Sequence, residues 1–476
     1  KAVECHRKVI EFEPHRAEGH NNLGTTLHEI GATEEAIASY RKALALLPDY
    51  CEALNNLGVA LKATNNLEEA LVSCQGAVKI RPEYPEAHYN VGNILKDLDR
   101  MEEALASYQH ALELKPNYTE ALFNKGNSLR ELGKLDEALA CYETALTMNP
   151  DYAEVHTNLA LVLLLQGVWK RGWKEFKWRI KDKRDKFRTL LPIEMWTGSS
   201  LRDKNIVVYA EEGVGDEIMF SSCIPDLLEE SPRRLFLECD PRLEALFARS
   251  FPDVHVHGKE RDLDLSWAHG HGPLDYSLPI GSLPKFFRNR VEDFPSRDSF
   301  LVPDPTLVGK WKRRLSDLGE GAKIGISWHG GQTASVIRSA SIPLPSWEPL
   351  LSMNAFFINL QYGDISEDIA RINKRPNIQI QDWEDNDPLK DLDNHAALVS
   401  ALDLVITIDN STLHLAGAIG TRTWGLLAYV PDWRWPEAFG DSPPLYRSVQ
   451  LFRQKQLSDW TPVIAEVGQS LKDFIG

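Results

Sequence analysis

The sequence has no apolar run of membrane-spanning length, no CxxC cysteine pair and no excess of basic charge. Each absence removes a class of function. A spanning helix needs about 20 consecutive apolar residues, so no segment of this sequence is expected to cross a membrane as a helix. The six cysteines, Cys5, Cys51, Cys74, Cys141, Cys223 and Cys239, stand singly. Several fall at helical core positions, where cysteine acts as a small hydrophobe, so a reduced, cytoplasmic compartment is expected instead of a disulfide framework. A net charge of −16 argues against nucleic acid as a partner, because that function needs a basic face. What remains is 476 residues with an ordinary 43% hydrophobic content, more than one core usually serves, so two or three domains are expected.

The first third repeats every 34 residues. Small residues recur at Ala36, Ala70, Ala104 and Ala138, and glycine at Gly24, Gly58, Gly92 and Gly126. An aromatic site gives Tyr40, Tyr108 and Tyr142 with Cys74 between, and Pro48, Pro82, Pro116 and Pro150 close the units. This pattern resembles the tetratricopeptide (TPR) repeat, which implies stacked helix pairs forming an α-solenoid. Ala2 and Pro14 fit a unit lacking its first helix, so the native chain is expected to begin earlier. Four full repeats follow, then a degenerate fifth from Ala153 to about Asp182. It carries Trp169, Trp173 and Trp178 and replaces the small sites by Gly172 and Arg179, which predicts a helix docked on the next domain.

One position of the first helix is asparagine in every repeat: Asn22, Asn56, Asn90, Asn124 and Asn158. Asparagine is a mediocre helix former, so five in phase call for a reason outside helix stability. An amide donates and accepts together, which suits a groove that reads a peptide backbone without choosing its side chains. The alternative is that each Asn bonds the neighbouring repeat and fixes the stacking angle. The ladder resembles that of the protein O-GlcNAc transferases, which implies a polypeptide partner.

After a linker the pattern changes to apolar runs alternating with amphipathic helices, the mark of α/β layers. Strands are expected at Asn205–Ala210, Arg234–Glu238, Val254–His257 and Tyr276–Leu278. A second series is expected at Lys323 onward, Phe356–Gln361, Ile378–Gln381 and Leu404–Ile408. Two strand ends carry polar turns. EEGVGDEIMF follows the first strand and puts Asp216 at a helix start, where an N-cap is the commonest role. DNSTLHLAGAIG follows Ile408 and reads either as an ordinary capped helix or as an anion site at a helix N-terminus.

Two tandem Rossmann-like domains are the layout of the GT-B glycosyltransferases. DNSTLHLAGAIG and GVGDEIMF resemble motifs of the heptosyltransferase-like superfamily over about Asn205 to Trp460, and RSASIPL and YVPDWRW are similar to words of its TPR-bearing branch. That resemblance implies a role for each matching position. Asp216 would be the catalytic base; since a carboxylate is a weak base, positioning would do most of the catalysis. Arg338 would neutralise the leaving phosphate. Asn410, Ser411, Thr412 and His414 would hold the donor's diphosphate, helped by Trp328, His329, Gly330 and Gly331, and Gln361 would lie near the nucleoside base. No metal and no cofactor are implied: Asp262-Leu263-Asp264 alternates like a strand, and His255, His257, His269 and His271 lack a third ligand at useful spacing. The indoles of Asp432-Trp433-Arg434-Trp435 read equally as a sugar-stacking platform or a packed corner.

The reading is a TPR solenoid (1–182), a linker (183–204), an acceptor half (205–305) and a nucleotide-sugar half (306–476). The implied reaction is metal-independent and inverting, from a nucleotide sugar to a hydroxyl, Ser or Thr of a protein held in the TPR groove, with the repeats also offering a surface for self-association. Two alternatives stay open: an inactive scaffold that only recruits a peptide, and a transferase acting on a glycan acceptor.

Overall fold

A computed structural model describes residues 2–181, 191–211, 213–258, 264–295, 297–330 and 341–476. The chain divides into two compact units, Lys1–Leu159 and Ala160–Gly476. The first is built from TPR helical hairpins: Ala17–Glu29 with Thr33–Leu46, Cys51–Ala63 with Leu67–Ile80, Pro85–Asp97 with Met101–Leu114, and Thr119–Glu131 with Leu135–Met148. Within each hairpin the turn needs one left-handed residue. That residue is Gly31, Asn65, Asp99 and Gly133 in turn, three residue types that tolerate positive φ.

The glycine sites explain how closely the two helices approach. A Cβ on Gly24, Gly92 or Gly126 would lie 2.6 Å from the ring of Tyr40, Tyr108 or Tyr142. Each ring therefore packs flat over a backbone with no side chain, and the alanines at 36, 70, 104 and 138 are completely buried beside it. Where the second repeat has Cys74 instead, the thiol takes the ring's place against Gly58.

The second unit is an α/β region with two parallel sheets. β1 (Asn205–Tyr209), β2 (Arg234–Cys239), β3 (His255–Gly258) and β4 (Tyr276–Pro279) form the first, in the order β3-β2-β1-β4. Residues 191–204, expected to be linker, add to it: Met195 bridges Ser277 on β4, and Leu191 and Trp196 are buried. β5 (Lys323–Ser327), β6 (Phe356–Asn359), β7 (Ile380–Gln381), β8 (Leu404–Ile408), β9 (Thr423–Leu427) and β10 (Val449–Arg453) form the second, in the order β10-β9-β8-β5-β6-β7. β1, β5, β8 and β9 are buried along their whole length, as strands covered on both faces must be. In the six-stranded sheet the chain winds outward one way from β5 through β7 and the other way from β8 through β10. The switch point therefore lies between the carboxyl ends of β5 and β8, where doubly wound sheets hold ligands.

The fifth repeat's second helix, Trp169–Phe176, belongs to this second unit. Trp173 Nε1 donates to the Arg288 carbonyl at 2.6 Å, and Trp169 packs on Phe294 and Phe439. Beyond the helix, Arg179 forms a fully buried ion pair with Glu211 at the end of β1 and donates to Ser282.

Candidate functional site

Two helix starts meet at the ends of β1 and β8. Gly213 caps the Val214–Ser221 helix, whose first turn carries Asp216. Asn410 caps the Ser411–Ile419 helix. A Cβ on Gly215 would stand 3.3 Å from Ser411 Cα and 3.6 Å from His414 Cδ2, so the glycine permits this approach.

A third segment, the corner after β9, closes the cluster. Nε and Nη2 of Arg434 donate to Oδ1 of Asp216, the former at 3.0 Å, while Nη1 donates to Asp432. Trp435 Nε1 donates to Asp409 Oδ1 at 2.7 Å, and its indole stacks on the His414 ring at 5.2 Å. Burial, then the nearby charge of Asp432, pushes the Asp409 carboxyl up to about 7. Burial and then Arg434 push His414 down to about 3, so its imidazole is neutral. Its Nδ1 lies 3.0 Å from Tyr446 Oη. Either the tyrosine hydroxyl donates there and the ring proton is on Nε2, or Nδ1–H donates to the hydroxyl and Nε2 is bare.

Two of the residues expected to touch a donor, Asn410 and Gln361, also brace the strand ends. Asn410 Oδ1 accepts from the amides of Thr412 and Leu413 and from Thr407 Oγ1, and its Nδ2 donates to Ser327 Oγ at 2.7 Å and to the His329 carbonyl. Gln361 Oε1 accepts from Ser327 Oγ and from the amides of Trp328 and His329. Trp328, Thr412 and His414 are buried, whereas Ser411 and His329 are half-buried. The Gly330 amide donates to Ser341 Oγ. The helix start that carries Asp216 thus meets the one that carries Ser411 and His414, through Gly215, with Trp328, His329, Gly330 and Gln361 on the neighbouring strand ends. Gly331, Arg338 and Asp262 lie outside the described residues. Asp264 accepts from the Ser266 amide, and the His255 and His257 rings pack on Phe236 and Trp267.

Tyr446 was not singled out by sequence, Asp409 was read only as part of a turn, and Asp432 and Arg434 only as part of an aromatic corner. The tryptophans flanking Arg434 had drawn the weight, yet both indoles are core anchors, 9% and 1% exposed. The available signal was the arginine itself, a charge placed between two buried aromatics.

In the first unit the asparagine ladder runs across the stack. Asn56 Nδ2 donates to Asn21 Oδ1 at 3.1 Å, Asn90 to Asn55 at 2.8 Å, and Asn124 to Asn93 at 2.8 Å and to Tyr89 Oη. Asn158 instead donates to the Glu154 carbonyl of its own helix, and Asn22 is exposed. Among the described residues nothing donates to Oδ1 of Asn56, Asn90 or Asn124, so each amide keeps its acceptor.

Family models described as TPR repeat match residues 25–65 and 126–167, and those described as tetratricopeptide repeat match 51–81, 85–118 and 107–140. Protein FlbA of Caulobacter vibrioides is 34% identical over 326 residues, which span 66% of this chain and 54% of that protein. The chain therefore matches about half the length of this curated relative. Among solved structures, YrrB, a TPR protein with an unusual peptide-binding site, is 27% identical over 39% of this chain and 96% of its own, with a TM-score of 0.33. A thermophilic TPR protein of Thermus thermophilus, TTC0263, is 22% identical over 36% of this chain and 93% of its own, with a TM-score of 0.32.

Proposed function

We propose that the protein is a glycosyltransferase moving a sugar from a nucleotide-sugar donor to a hydroxyl, on a polypeptide held by the TPR groove. One observation carries this reading: the two helix starts meet, with Gly215, next to Asp216, approaching Ser411 and His414 at the switch point of the second sheet, and Asp216 held there by Arg434. A carboxylate opposite a helix start supplies the two things that transfer needs, a proton acceptor for the hydroxyl and amide donors for a leaving phosphate. The neutral His414 lies at that helix start and offers a donor there when its ring proton is on Nε2. The acceptor is assigned to the groove because the Oδ1 atoms of Asn56, Asn90 and Asn124 stay open to a peptide N–H.

The scaffold reading has its own support, since Asn410 already occupies the Thr412 and Leu413 amides. A thermal-shift screen of the chain against UDP-, GDP-, ADP- and CMP-activated sugars separates the two. A true donor at one hundred times its Kd stabilises by about 3 kcal/mol, and Asp216→Asn then abolishes transfer while donor binding persists. A flat response to every donor selects the scaffold.

A further inference from the structure

We infer that Arg434 is a positioning residue for the Asp216 carboxylate, anchoring one oxygen so that the other is presented to the acceptor hydroxyl. This rests on the transferase reading, in which Asp216 takes the acceptor's proton. Both Nε and Nη2 of Arg434 donate to the same atom, Oδ1. Among the described residues nothing donates to Oδ2. An arginine that neutralises a carboxylate takes both oxygens with its fork. This chain contains that form elsewhere. Arg249 donates to Oδ1 and Oδ2 of Asp393 at 2.9 and 2.7 Å, and Arg242 to both oxygens of Asp240 at 2.8 Å each. The side-on grip on Asp216 is therefore a different arrangement, one that fixes the carboxylate plane and leaves a lone pair exposed.

The guanidinium is itself held from the other side. Nη1 and the backbone N–H of Arg434 both donate to Oδ1 of Asp432, the latter at 3.2 Å. Its central carbon sits 4.5 Å from the Trp433 ring centre. Trp433 is buried against Trp173, Phe176 and Phe220, so the cation rests on a rigid platform before it meets Asp216. In the step this serves, the acceptor O–H bond breaks and its proton passes to Oδ2 of Asp216. The hydroxyl oxygen bonds to the anomeric carbon, and the bond from that carbon to phosphate breaks, the nucleotide leaving with the electron pair. Fixing one oxygen holds the proton acceptor in line with that attack.

The test is steady-state transfer by the full chain, using UDP-, GDP-, ADP- and CMP-activated sugars as donors and circular dichroism to verify folding. Arg434→Gln is expected to lower kcat by about tenfold to a hundredfold with donor KM unchanged. Arg434→Lys should recover part of kcat, and methylguanidinium should partly rescue Arg434→Ala. A kcat that is unchanged or raised, or a loss carried by KM without rescue, overturns the inference. If Asp216→Asn is inactive while Arg434→Gln is fully active, only the positioning role fails. If Asp216→Asn keeps its turnover, or the native chain turns over none of the donors, the transferase reading fails and the inference with it.

Discussion

Asp409 sits where three charges compete, and its protonation links the site to stability. Its carboxyl is raised to about 7, from the usual value near 4, chiefly by burial. The folded state therefore keeps a proton that the unfolded chain loses above pH 4. Between pH 4 and 7 the fold loses stability as pH rises, and above 7 both states are ionised and the loss levels off. Asp409→Asn removes the titration and keeps an acceptor for Trp435 Nε1. The difference between its melting temperature and the parent's should be near zero below pH 4, grow from pH 4 to 7 and stay several degrees in its favour at pH 8. A difference independent of pH would show that Asp409 is ionised in the fold throughout. None of this was legible in the sequence. DNSTLH announced a cap and a turn, but a raised carboxyl depends on Asp432 and on burial by Trp435, both from a distant corner.

At the scale of elements, the TPR hairpins were readable because each glycine, alanine and tyrosine is repeated in phase, so noise at one repeat is corrected by the next. β1 to β8 were readable from their apolar runs, although β7 proved to be only Ile380–Gln381. β9 and β10 were missed. TWGLL has a glycine where a side chain would meet Leu413 and Leu451, and that close approach weakens the β-branched signature of a strand. Linker residues 191–204 were missed as structure for a similar reason, since one bridge and two buried side chains leave no period to read. The asparagine ladder illustrates the limit. Its phase was plain, but whether the amides face a peptide or each other was not. Replacing Asn56, Asn90 and Asn124 together by Ala removes four cross-repeat bonds worth about 1 kcal/mol each, so the urea midpoint of the repeats should fall by an amount equivalent to about 4 kcal/mol. The same variant should weaken transfer to a peptide acceptor and spare a small one. A fall in stability with peptide transfer intact would assign the ladder to stacking alone.

For the whole molecule, no helix among the described residues is long and apolar enough to cross a membrane. The domain partition read from sequence remains a proposal; the boundary between the two compact units falls within the Ala153–Leu165 helix, so the aromatic half of the fifth repeat belongs with the α/β region. Trp173, Phe176 and Trp433 show why: their rings bury one another at 5.5 to 5.8 Å. The contact between Arg434 and Asp216 joins residues 218 positions apart, and that separation has a kinetic consequence. Each hairpin forms from local pairings and each sheet from longer-range parallel ones such as Ile206 with Tyr276 and Ile324 with Leu404, whereas this corner needs both sheets finished and brought together, the slowest kind of closure. On dilution from urea, far-ultraviolet ellipticity should return first, and the fluorescence of the Trp433 and Trp435 corner should follow in a later phase. Arg434→Gln should change the amplitude of that late phase and leave the early one alone. The site would then be the last part of the chain to exist and, under rising denaturant, the first to be lost.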